Sequence, residues 1–146
     1  MDTEQFTYKL VENEDELKGA LGVRRKVFVE EQGISEHLVY DGCDDEAIHI
    51  VVKDGNNVIG TARVRFPEPN QAKLERMAIL PPFRQMGVGK KSMSFLVEEL
   101  KRSQIIKVIL HAQHGVTGFY KVCGFDTVGL PFWEAGIKHV MMERSL

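Results

Sequence analysis

A strand–helix–strand unit in the middle of the chain limits the sheet that this sequence can form. Strand-like residues span Lys73–Leu80, helical periodicity follows over Gly87–Arg102, and a short apolar strand is predicted at Lys107–Gln113. Two strands of one sheet that are joined through a helix run parallel, and the crossover between them is right-handed. We therefore expect a parallel pair of strands at the centre of this chain.

The segments on either side of that unit complete a predicted mixed sheet. The turn Asp54-Gly55-Asn56-Asn57 indicates a hairpin, and Pro67-Glu68-Pro69-Asn70 predicts the next turn. The other predicted elements are a helix that starts at an Asn13/Glu16 capping box, a loop at Gln32–Asp45, a helix at Val116–Cys123, and strands at Phe6–Val11, Ala47–Lys53, Val58–Phe66, Phe125–Val128 and Lys138–Arg144. The predicted fold class is α/β (α+β), with a mixed, twisted sheet of about six to seven strands and helices on both faces.

Length and charge exclude several classes of protein. The 146 residues predict one domain that spans residues 1–146. A formal net charge of −2 gives no field that favours a nucleic acid or an anionic membrane. No apolar run reaches the roughly 20 residues of a membrane span, and the polar N-terminus lacks a signal-peptide core. The two cysteines form no disulfide framework and have no neighbours at metal-ligand spacing, so we expect a cytoplasmic protein without a metal.

A glycine-containing segment, Arg84-Gln85-Met86-Gly87-Val88-Gly89-Lys90, joins the central strand to its helix. Its glycines expose consecutive N–H groups at a helix start, where the helix dipole attracts anions. A Walker A loop would need a glycine at Arg84 and a Ser or Thr at Lys91, and a dinucleotide fingerprint would need a glycine at Ser92. The segment therefore predicts a phosphate-bearing ligand, but fits neither of these two nucleotide loops.

The pattern Arg84-x-x-Gly87-x-Gly89, after a strand and at the start of a helix, resembles the acetyl-CoA loop of the GNAT acyltransferase superfamily. Leu74-Glu75-Arg76-Met77-Ala78-Ile79-Leu80-Pro81 resembles the fourth strand of that family, and Gly118-Phe119-Tyr120-Lys121-Val122-Cys123-Gly124-Phe125 resembles its Phe-Tyr-x-x-x-Gly-Phe segment. The resemblance covers the chain from about Phe6 to Arg144. The small ElaA/YjcF-type members are the most similar, through Arg24-x-x-Val27-Phe28-Val29-x-Glu31-Gln32, Leu110-His111-Ala112-Gln113 and Pro131-Phe132-x-Glu134-x-Gly136-Ile137-x-His139.

This resemblance implies a GNAT fold and acetyl-CoA as the cosubstrate. In that family the pantetheine arm pairs with the fourth strand, here through Met77 and Ile79, and a backbone N–H at Met77 or Ala78 polarises the thioester carbonyl. The N–H groups from Met86 to Lys90 would bind the pyrophosphate, with a charged contact from Arg84 or Lys90. The residues expected to bind the cofactor are Met77, Ala78, Ile79, Arg84, Gln85, Met86, Gly87, Val88, Gly89, Lys90 and Tyr120.

Tyr120 and Glu75 are the two side chains to which the resemblance assigns catalysis. Tyr120 occupies the position of the family tyrosine near the CoA sulfur, where it can act as a general acid. Glu75 occupies the position of a candidate base, and strand alternation is expected to place it on one face with Met77 and Ile79. A carboxylate with a pKa of about 4.3 is a poor base for an ammonium of about 10.4, so Glu75 would need a raised pKa or a chain of waters.

Other residues compete with Glu75 for the role of base. His49 and His111 carry imidazoles, whose ordinary pKa of about 6.5 suits proton transfer better, although a packing role is the alternative for both. Glu75 could instead form a salt bridge to Arg63 or Arg65 on the neighbouring strand. The sequence leaves these alternatives open, together with a water-mediated route.

The predicted activity is transfer of the acetyl group of acetyl-CoA to the primary amine of a small molecule, by direct attack. No motif identifies the acceptor; Phe132, Trp133 and Glu134 either line its pocket or cover the edge of the sheet. One alternative is a CoA-binding regulatory module without turnover. Another is an enzyme similar to acyl-homoserine-lactone synthases, which the acidic Asp41, Asp44 and Asp45 suggest and the short chain opposes. An edge strand near the C-terminus is compatible with a homodimer.

Overall fold

Seven strands form one sheet in residues 5–146, the part of the chain that the computed structural model describes. The strands are β1 (Thr7–Leu10), β2 (Ile48–Asp54), β3 (Asn57–Glu68), β4 (Gln71–Ile79), β5 (Lys107–Gln113), β6 (Asp126–Glu134) and β7 (Ile137–Ser145). The α-helices are α1 (Glu14–Arg24), α2 (Glu36–Val39), α3 (Val88–Arg102) and α4 (Thr117–Val122), and a π-helical segment, Arg25–Glu31, continues α1. Within residues 5–146, no helix combines the length and the apolar character that a membrane crossing needs.

The sheet is mixed, as the strand–helix–strand unit predicts. Its strand order is β1-β2-β3-β4-β5-β7-β6. β4 and β5 run parallel and are joined through α3, whereas the other neighbouring strands in this sheet are antiparallel. The final hairpin places β7 between β5 and β6, so β6 lies at one edge of the sheet.

Helices cover both faces of the sheet, which confirms the predicted fold class. α3 packs an apolar stripe on one face, and the buried members of that stripe are Val88, Ser92, Met93, Leu96, Val97 and Leu100. On the other face, Val23 of α1 and Val27 and Phe28 of the π-helical segment pack beside Ala78 of β4. Each buried side chain of this kind stabilises the fold by about 1.5–3 kcal/mol. α1 packs on β2, β3 and β4, and the same face of β5 and β7 is only half-buried.

The predicted capping box at α1 forms in a modified way. Asn13 Oδ1 accepts a hydrogen bond from Glu16 N at 2.9 Å, as expected of an N-cap residue. The Glu16 carboxylate does not return to the N–H of Asn13; it accepts from Glu12 N at 2.9 Å. Lys9 Nζ, 2.7 Å from Glu16 Oε2, and Lys53 Nζ, 3.3 Å from it, complete the surroundings of this buried carboxylate.

Three other boundaries differ from the sequence-based prediction. β3 continues to Glu68 through Pro67, which a strand tolerates there because the β3–β4 register shifts between Arg65 and Glu68. The predicted loop at Gln32–Asp45 contains α2. β6 does not end at Val128 but continues to Glu134, because its second half also pairs with β7.

A β-bulge interrupts β4 at Arg76. Arg63 pairs with Glu75 and Thr61 pairs with Ala78, so β4 has one residue more than β3 between these pairs. Arg76 itself has a φ of 55°. The expectation that Glu75, Met77 and Ile79 share one face is therefore wrong, because the extra residue inverts the alternation. Met77 packs against the cluster on the α3 side, whereas Glu75 contacts Arg63 on the α1 side.

Candidate active site

The sheet opens between β4 and β5. Their parallel pairing ends at Leu74 and Leu110, although β4 continues to Ile79 and β5 to Gln113. A cavity of about 590 Å³ lies at this gap and extends to the π-helical segment and α4. Cavities of roughly 300–1,000 Å³ are typical of small-molecule sites. The gap therefore provides a site between two strands whose facing backbone edges are unpaired.

The backbone of β4 presents Met77 and Ile79 to this gap. Leu80 N donates to Ile59 O at 2.9 Å, so Leu80 faces β3. Because neighbouring residues of a strand point their N–H and C=O groups to opposite sides, Ile79 and Met77 face away from β3 and toward the gap. Ala78 pairs with Thr61, and by the same alternation its N–H faces β3. Of the two N–H groups expected to polarise a thioester, only that of Met77 is directed into the gap.

The glycine segment places the start of α3 beside the gap. Gln85 and Gly87 have positive φ values of 61° and 79°, and Gly87 forms the N-cap without any side-chain hydrogen bond. Val88 is buried and anchors the first turn. A Cβ at Gly89 would lie 3.1 Å from the ring of Phe119, which leaves little space for a side chain. In the described part of the chain, the first N–H groups of α3 therefore have no capping side chain, and they stand at the end of the cavity.

The guanidinium group of Arg84 forms hydrogen bonds to other residues of the chain. Its Nη1 and Nη2 donate to Glu31 Oε2 and Oε1 at 2.8 and 2.7 Å, and its Nε donates to Ile79 O at 2.9 Å. This bidentate pair ties the glycine segment to the end of the π-helical segment. Lys90, the other cation considered for the pyrophosphate, makes no ion pair within residues 5–146 and is exposed on the first turn of α3.

Tyr120 lines the cavity from α4. Its ring packs edge-on against Phe119 and Phe125, at centroid distances of 5.1 and 6.1 Å. Burial, with a smaller contribution from Cys123, raises the pKa of Tyr120 to about 12. Its hydroxyl has no hydrogen-bond partner among residues 5–146. The side chain is therefore a protonated phenol whose O–H is available to a ligand in the gap.

Glu75 lies in an ion-pair cluster. It accepts hydrogen bonds from Arg63 Nη2 and, at 2.9 Å, from Arg65 Nε, which confirms the salt bridge considered as its alternative role. Burial raises the pKa of the Glu75 carboxyl, but the hydrogen bonds from Arg63 and Arg65 outweigh burial and leave this pKa below its ordinary value. Glu75 thus borders the cavity without the raised pKa that a general base would need.

His49 does not reach the cavity. Arg24 can only donate, so His49 Nδ1 accepts from Arg24 Nη2 at 3.0 Å, and Nε2 donates to Asp44 O at 3.0 Å. Burial lowers the pKa of His49, which favours this neutral state. Both ring nitrogens are occupied, and His49 has the packing role that the sequence left as its alternative.

His111 and Glu134 form a pair on the opposite side of the gap. Both line the cavity, and His111 Nδ1 lies 3.2 Å from Glu134 Oε2. A carboxylate only accepts, so Nδ1 is the donor in this contact, and in the neutral tautomer that makes it Nε2 carries the lone pair. The ring of Phe132 packs edge-on against His111, at 5.0 Å between centroids. Of the three residues considered for the pocket, Glu134 lines the cavity, Phe132 lies behind it in contact with His111, and Trp133 is exposed and does not line it.

Several cavity residues were missed by sequence reasoning. Lys73 lines the site but carries no motif, and His139 ends one of the blocks that carry the family resemblance, which assigns it no role. Gln32 and Gln113 approach each other across the mouth of the cavity, with Gln113 Nε2 donating to Gln32 Oε1 at 2.8 Å. These residues are distant from one another in sequence, so their proximity depends on the register of β4, β5 and β7 and on where the π-helical segment packs.

Comparisons with known proteins agree with this geometry. The acetyltransferase (GNAT) family model matches residues 8–125. YjcF of Bacillus subtilis (strain 168), an uncharacterized N-acetyltransferase, is 36% identical over 137 residues, which cover 93% of this chain and 97% of YjcF. The crystal structure of ElaA from Escherichia coli has a TM-score of 0.84 at 25% identity, over 95% of this chain and 99% of ElaA. That of a GNAT family acetyltransferase from Elizabethkingia anophelis with acetyl-CoA bound has a TM-score of 0.75, over 98% of this chain and 99% of that one; its 15% identity shows the fold alone.

The family match covers most of the parts that form the site, but not Glu134 and His139. Residues 8–125 include β4, the glycine segment, β5 and Tyr120. The match to YjcF extends over nearly all of both chains. The chain therefore belongs to the acetyltransferase (GNAT) family and is ElaA/YjcF-like.

Proposed function

We propose that this acyltransferase transfers the acetyl group of acetyl-CoA to the primary amine of a small molecule by direct attack. The observation that carries the proposal is the gap between β4 and β5, which ends at the uncapped start of α3. An elongated ligand with amides along its length and phosphates at one end fits both features. The acetyl-CoA bound to the fold neighbour from Elizabethkingia anophelis supports the same assignment.

The chain offers each part of acetyl-CoA a chemically matched group. Met77 offers its backbone N–H and C=O groups and Ile79 its N–H group to the pantetheine amides, as an added strand would use them; the Ile79 carbonyl already accepts from Arg84. The first N–H groups of α3, within Gly87–Lys90, face the pyrophosphate, and Lys90 supplies a cation that makes no ion pair with any other residue of 5–146. Arg84 acts through Glu31 and the Ile79 carbonyl, so its role in this proposal is to position the glycine segment.

The Met77 N–H stabilises the oxyanion that forms when the amine attacks the thioester carbonyl. In this step the amine nitrogen bonds to the carbonyl carbon, and the C=O electron pair moves to oxygen. A preorganised N–H directed at that oxygen lowers the barrier, by about 2.7–4 kcal/mol per donor in known oxyanion holes. The Ala78 N–H, which faces β3, is not assigned this role.

His111 is the base that we assign to the attacking nitrogen. Its Nδ1–H donates to Glu134, and this leaves the Nε2 lone pair for the proton that the nitrogen loses. Glu134 orients the ring and stabilises the imidazolium, as a carboxylate does for histidine in other acyl-transfer sites. Glu75 is not assigned this role, because its two oxygens accept hydrogen bonds from Arg63 and Arg65.

Tyr120 assists the departing CoA sulfur by hydrogen bonding. When the C–S bond breaks, the electron pair leaves with sulfur as a thiolate. Burial raises the pKa of Tyr120 to about 12, whereas an ordinary thiol has a pKa of about 8.5, so complete transfer of the phenolic proton is uphill by roughly 3 pKa units. The phenol therefore donates a hydrogen bond to the thiolate, and the proton that the thiolate gains comes from solvent or from the imidazolium.

Two further expectations stay predictions. A cytoplasmic location rests on the composition and on the use of cysteine. The prediction of a homodimer rests on β6, an edge strand on which Leu130 and Trp133 are exposed.

Isothermal titration with acetyl-CoA tests the proposal, using Gly87→Val against Gly55→Val. Gly87 has a φ of 79° at the start of α3, and Gly55 has a φ of 61° in the distant β2–β3 turn, so both variants carry backbone strain. We expect micromolar binding by the wild type and by Gly55→Val, and at least a ~10-fold loss in Gly87→Val because the N–H cradle is obstructed.

Absence of wild-type binding would refute the proposed function. Equal losses in the two glycine variants would show that strain, and not the cradle, determines affinity. Tight binding without release of thiol over a panel of amines would favour the non-catalytic CoA-binding module instead.

A further inference from the structure

The cavity carries a concentration of positive charge that acetyl transfer alone does not require. Four cationic side chains lie within 4.0 Å of the Glu75 carboxylate: Arg63, Arg65, Lys73 and Arg76. Asp41 pairs with Arg63 and Arg76 at 2.8 and 3.2 Å. We call these six residues the Glu75 cluster. Four cations face two carboxylates within it, and all of its members except the buried Arg63 line the cavity.

The neighbouring carboxylate of Asp44 does not neutralise this excess of positive charge. Asp44 lies 3.2 Å from Arg63, but its nearer partner is Arg24, at 2.7 Å. Arg24 is itself fully buried, so this pair adds one cation together with one anion. The Glu75 cluster therefore keeps a net positive charge toward the cavity.

Lys73 is the least neutralised cation of the Glu75 cluster. Its Nζ lies 3.7 Å from Glu75 Oε1, beyond hydrogen-bond distance, and it has no nearer ion-pair or hydrogen-bond partner in residues 5–146. Its side chain is 23% exposed, and an ammonium group has three N–H donors. Arg65 of β3 pairs with Lys73 across the two strands. Its Nε and Nη2 contact Glu75, and its Nη1 has no hydrogen-bond or ion-pair partner in residues 5–146. An anion can bind here without displacing Arg63 from its carboxylates.

The end of the cavity beside His111 carries negative charge, opposite in sign to the Glu75 cluster. There Glu134, 45% exposed, accepts from His111. Lys73 pairs with Ile109, two residues before His111 on β5, so the two ends are displaced by roughly 7 Å along the strands. A molecule that spans them presents an amine to His111 and an anion to Lys73.

We infer that the acceptor is a small primary amine that also carries an anionic group, a carboxylate or a phosphate, which Lys73 and Arg65 bind. This inference rests on the proposed function and adds the class of acceptor to it. The cationic cluster disfavours polyamines, because their second ammonium group would lie beside Lys73 and Arg76. The Glu75 cluster also favours amines that carry a carboxylate or a phosphate over amines of the same length without an anionic group.

The first test uses the wild-type enzyme and acceptors that differ only at one end. We expect kcat/KM for 4-aminobutanoate to exceed that for butylamine by at least ~10-fold, the effect of one charge-assisted hydrogen bond, and that for 1,4-diaminobutane by more. 3-Aminopropylphosphonate, of similar length, distinguishes a preference for phosphate from one for carboxylate. Equal rates for 4-aminobutanoate and butylamine, or a preference for the diamine, would overturn the inference.

The second test compares Lys73→Met with Lys101→Met. Lys101 lies on α3 at 3.8 Å from Glu98, so it matches Lys73 in the length of its ion pair but lies outside the cavity. We expect Lys73→Met to reduce the ratio between 4-aminobutanoate and butylamine to near one, with acetyl-CoA affinity unchanged, and Lys101→Met to leave both unchanged. A ratio that Lys73→Met does not alter would contradict the role of Lys73.

A binding measurement separates this inference from the proposed function. If acetyl-CoA does not bind, the proposed function fails. If it binds but no acceptor reacts, titration of 4-aminobutanoate and butylamine into the CoA-saturated protein still decides the inference. Tighter, salt-sensitive binding of 4-aminobutanoate that depends on Lys73 supports it, and equal binding of the two amines refutes it.

Discussion

His111 and Glu75 both border the cavity, but their partners give them opposite chemistry. His111 Nδ1 lies 3.2 Å from one exposed carboxylate, that of Glu134, and in the proposed function its Nε2 takes the substrate proton. Glu75 is surrounded by cations, which hold its pKa below the ordinary value of a glutamate against the effect of burial. We therefore propose that the base is His111 on the neighbouring strand, and not Glu75 of the family position.

We expect His111→Gln to lower kcat by about 10²- to 10⁴-fold, because general-base catalysis contributes that much. The acidic limb of the pH–rate profile should disappear, and acetyl-CoA affinity should not change. Tyr120→Phe is the matched comparison: it should lower kcat by about 10-fold or more through loss of a hydrogen bond to a charged sulfur, but keep the acidic limb. An acidic limb that persists in His111→Gln would assign the base to another group.

At the scale of elements, Glu16 connects β1, α1 and β2 through one carboxylate. Lys9 of β1 donates to it, the N–H of Glu12 donates as well, and Lys53 of β2 lies 3.3 Å away. The hydrogen bond from Lys9, then that from Glu12 N, lowers the pKa of Glu16 to about 2. A depressed folded-state pKa contributes stability above the unfolded pKa of about 4.5 and loses it as the pH falls toward 2.

The free energy of unfolding, measured from pH 7 to pH 2, tests this connection in Glu16→Gln. The difference between wild type and Glu16→Gln should be greatest above pH ~4.5 and should shrink steadily below it. Glu14→Gln, which changes an exposed acid in the same helical turn, is the control and should follow the wild type. A constant difference across this range would mean that Glu16 acts by packing and not by charge.

The elements that the sequence predicted well are those set by local patterns. The parallel β4–β5 pair, the β2–β3 hairpin, α3 and the Asn13 cap all follow from periodicity or turn chemistry. The bulge at Arg76 and the π-helical segment carry no such signal, because each depends on what packs against it. The bulge reversed the predicted face of Glu75 relative to Met77. The salt bridge of Glu75 to Arg63 or Arg65 was predicted as an alternative, but its proximity to Lys73 and Arg76 was not.

For the whole molecule, the sheet and its two layers of helices create the site by leaving part of the sheet unpaired. The β4–β5 gap, the start of α3 and the Tyr120 face of α4 belong to separate segments of the chain. Their motifs were visible in the sequence through the resemblance to the GNAT family. The half of the cavity that we propose for the acceptor, formed by the Glu75 cluster and by His111 and Glu134, depends on strand register and was visible in the sequence only in part.

Amide hydrogen exchange, with and without saturating acetyl-CoA, tests the central claim most directly. If pantetheine pairs with β4 in the gap, the amides of Met77 and Ile79 and those of the first turn of α3 should become more protected. The Ala78 amide, which already faces β3, should change least. Binding that leaves Met77 and Ile79 unprotected, with protection gained elsewhere, would contradict the proposal that the β4–β5 gap is the acetyl-CoA site.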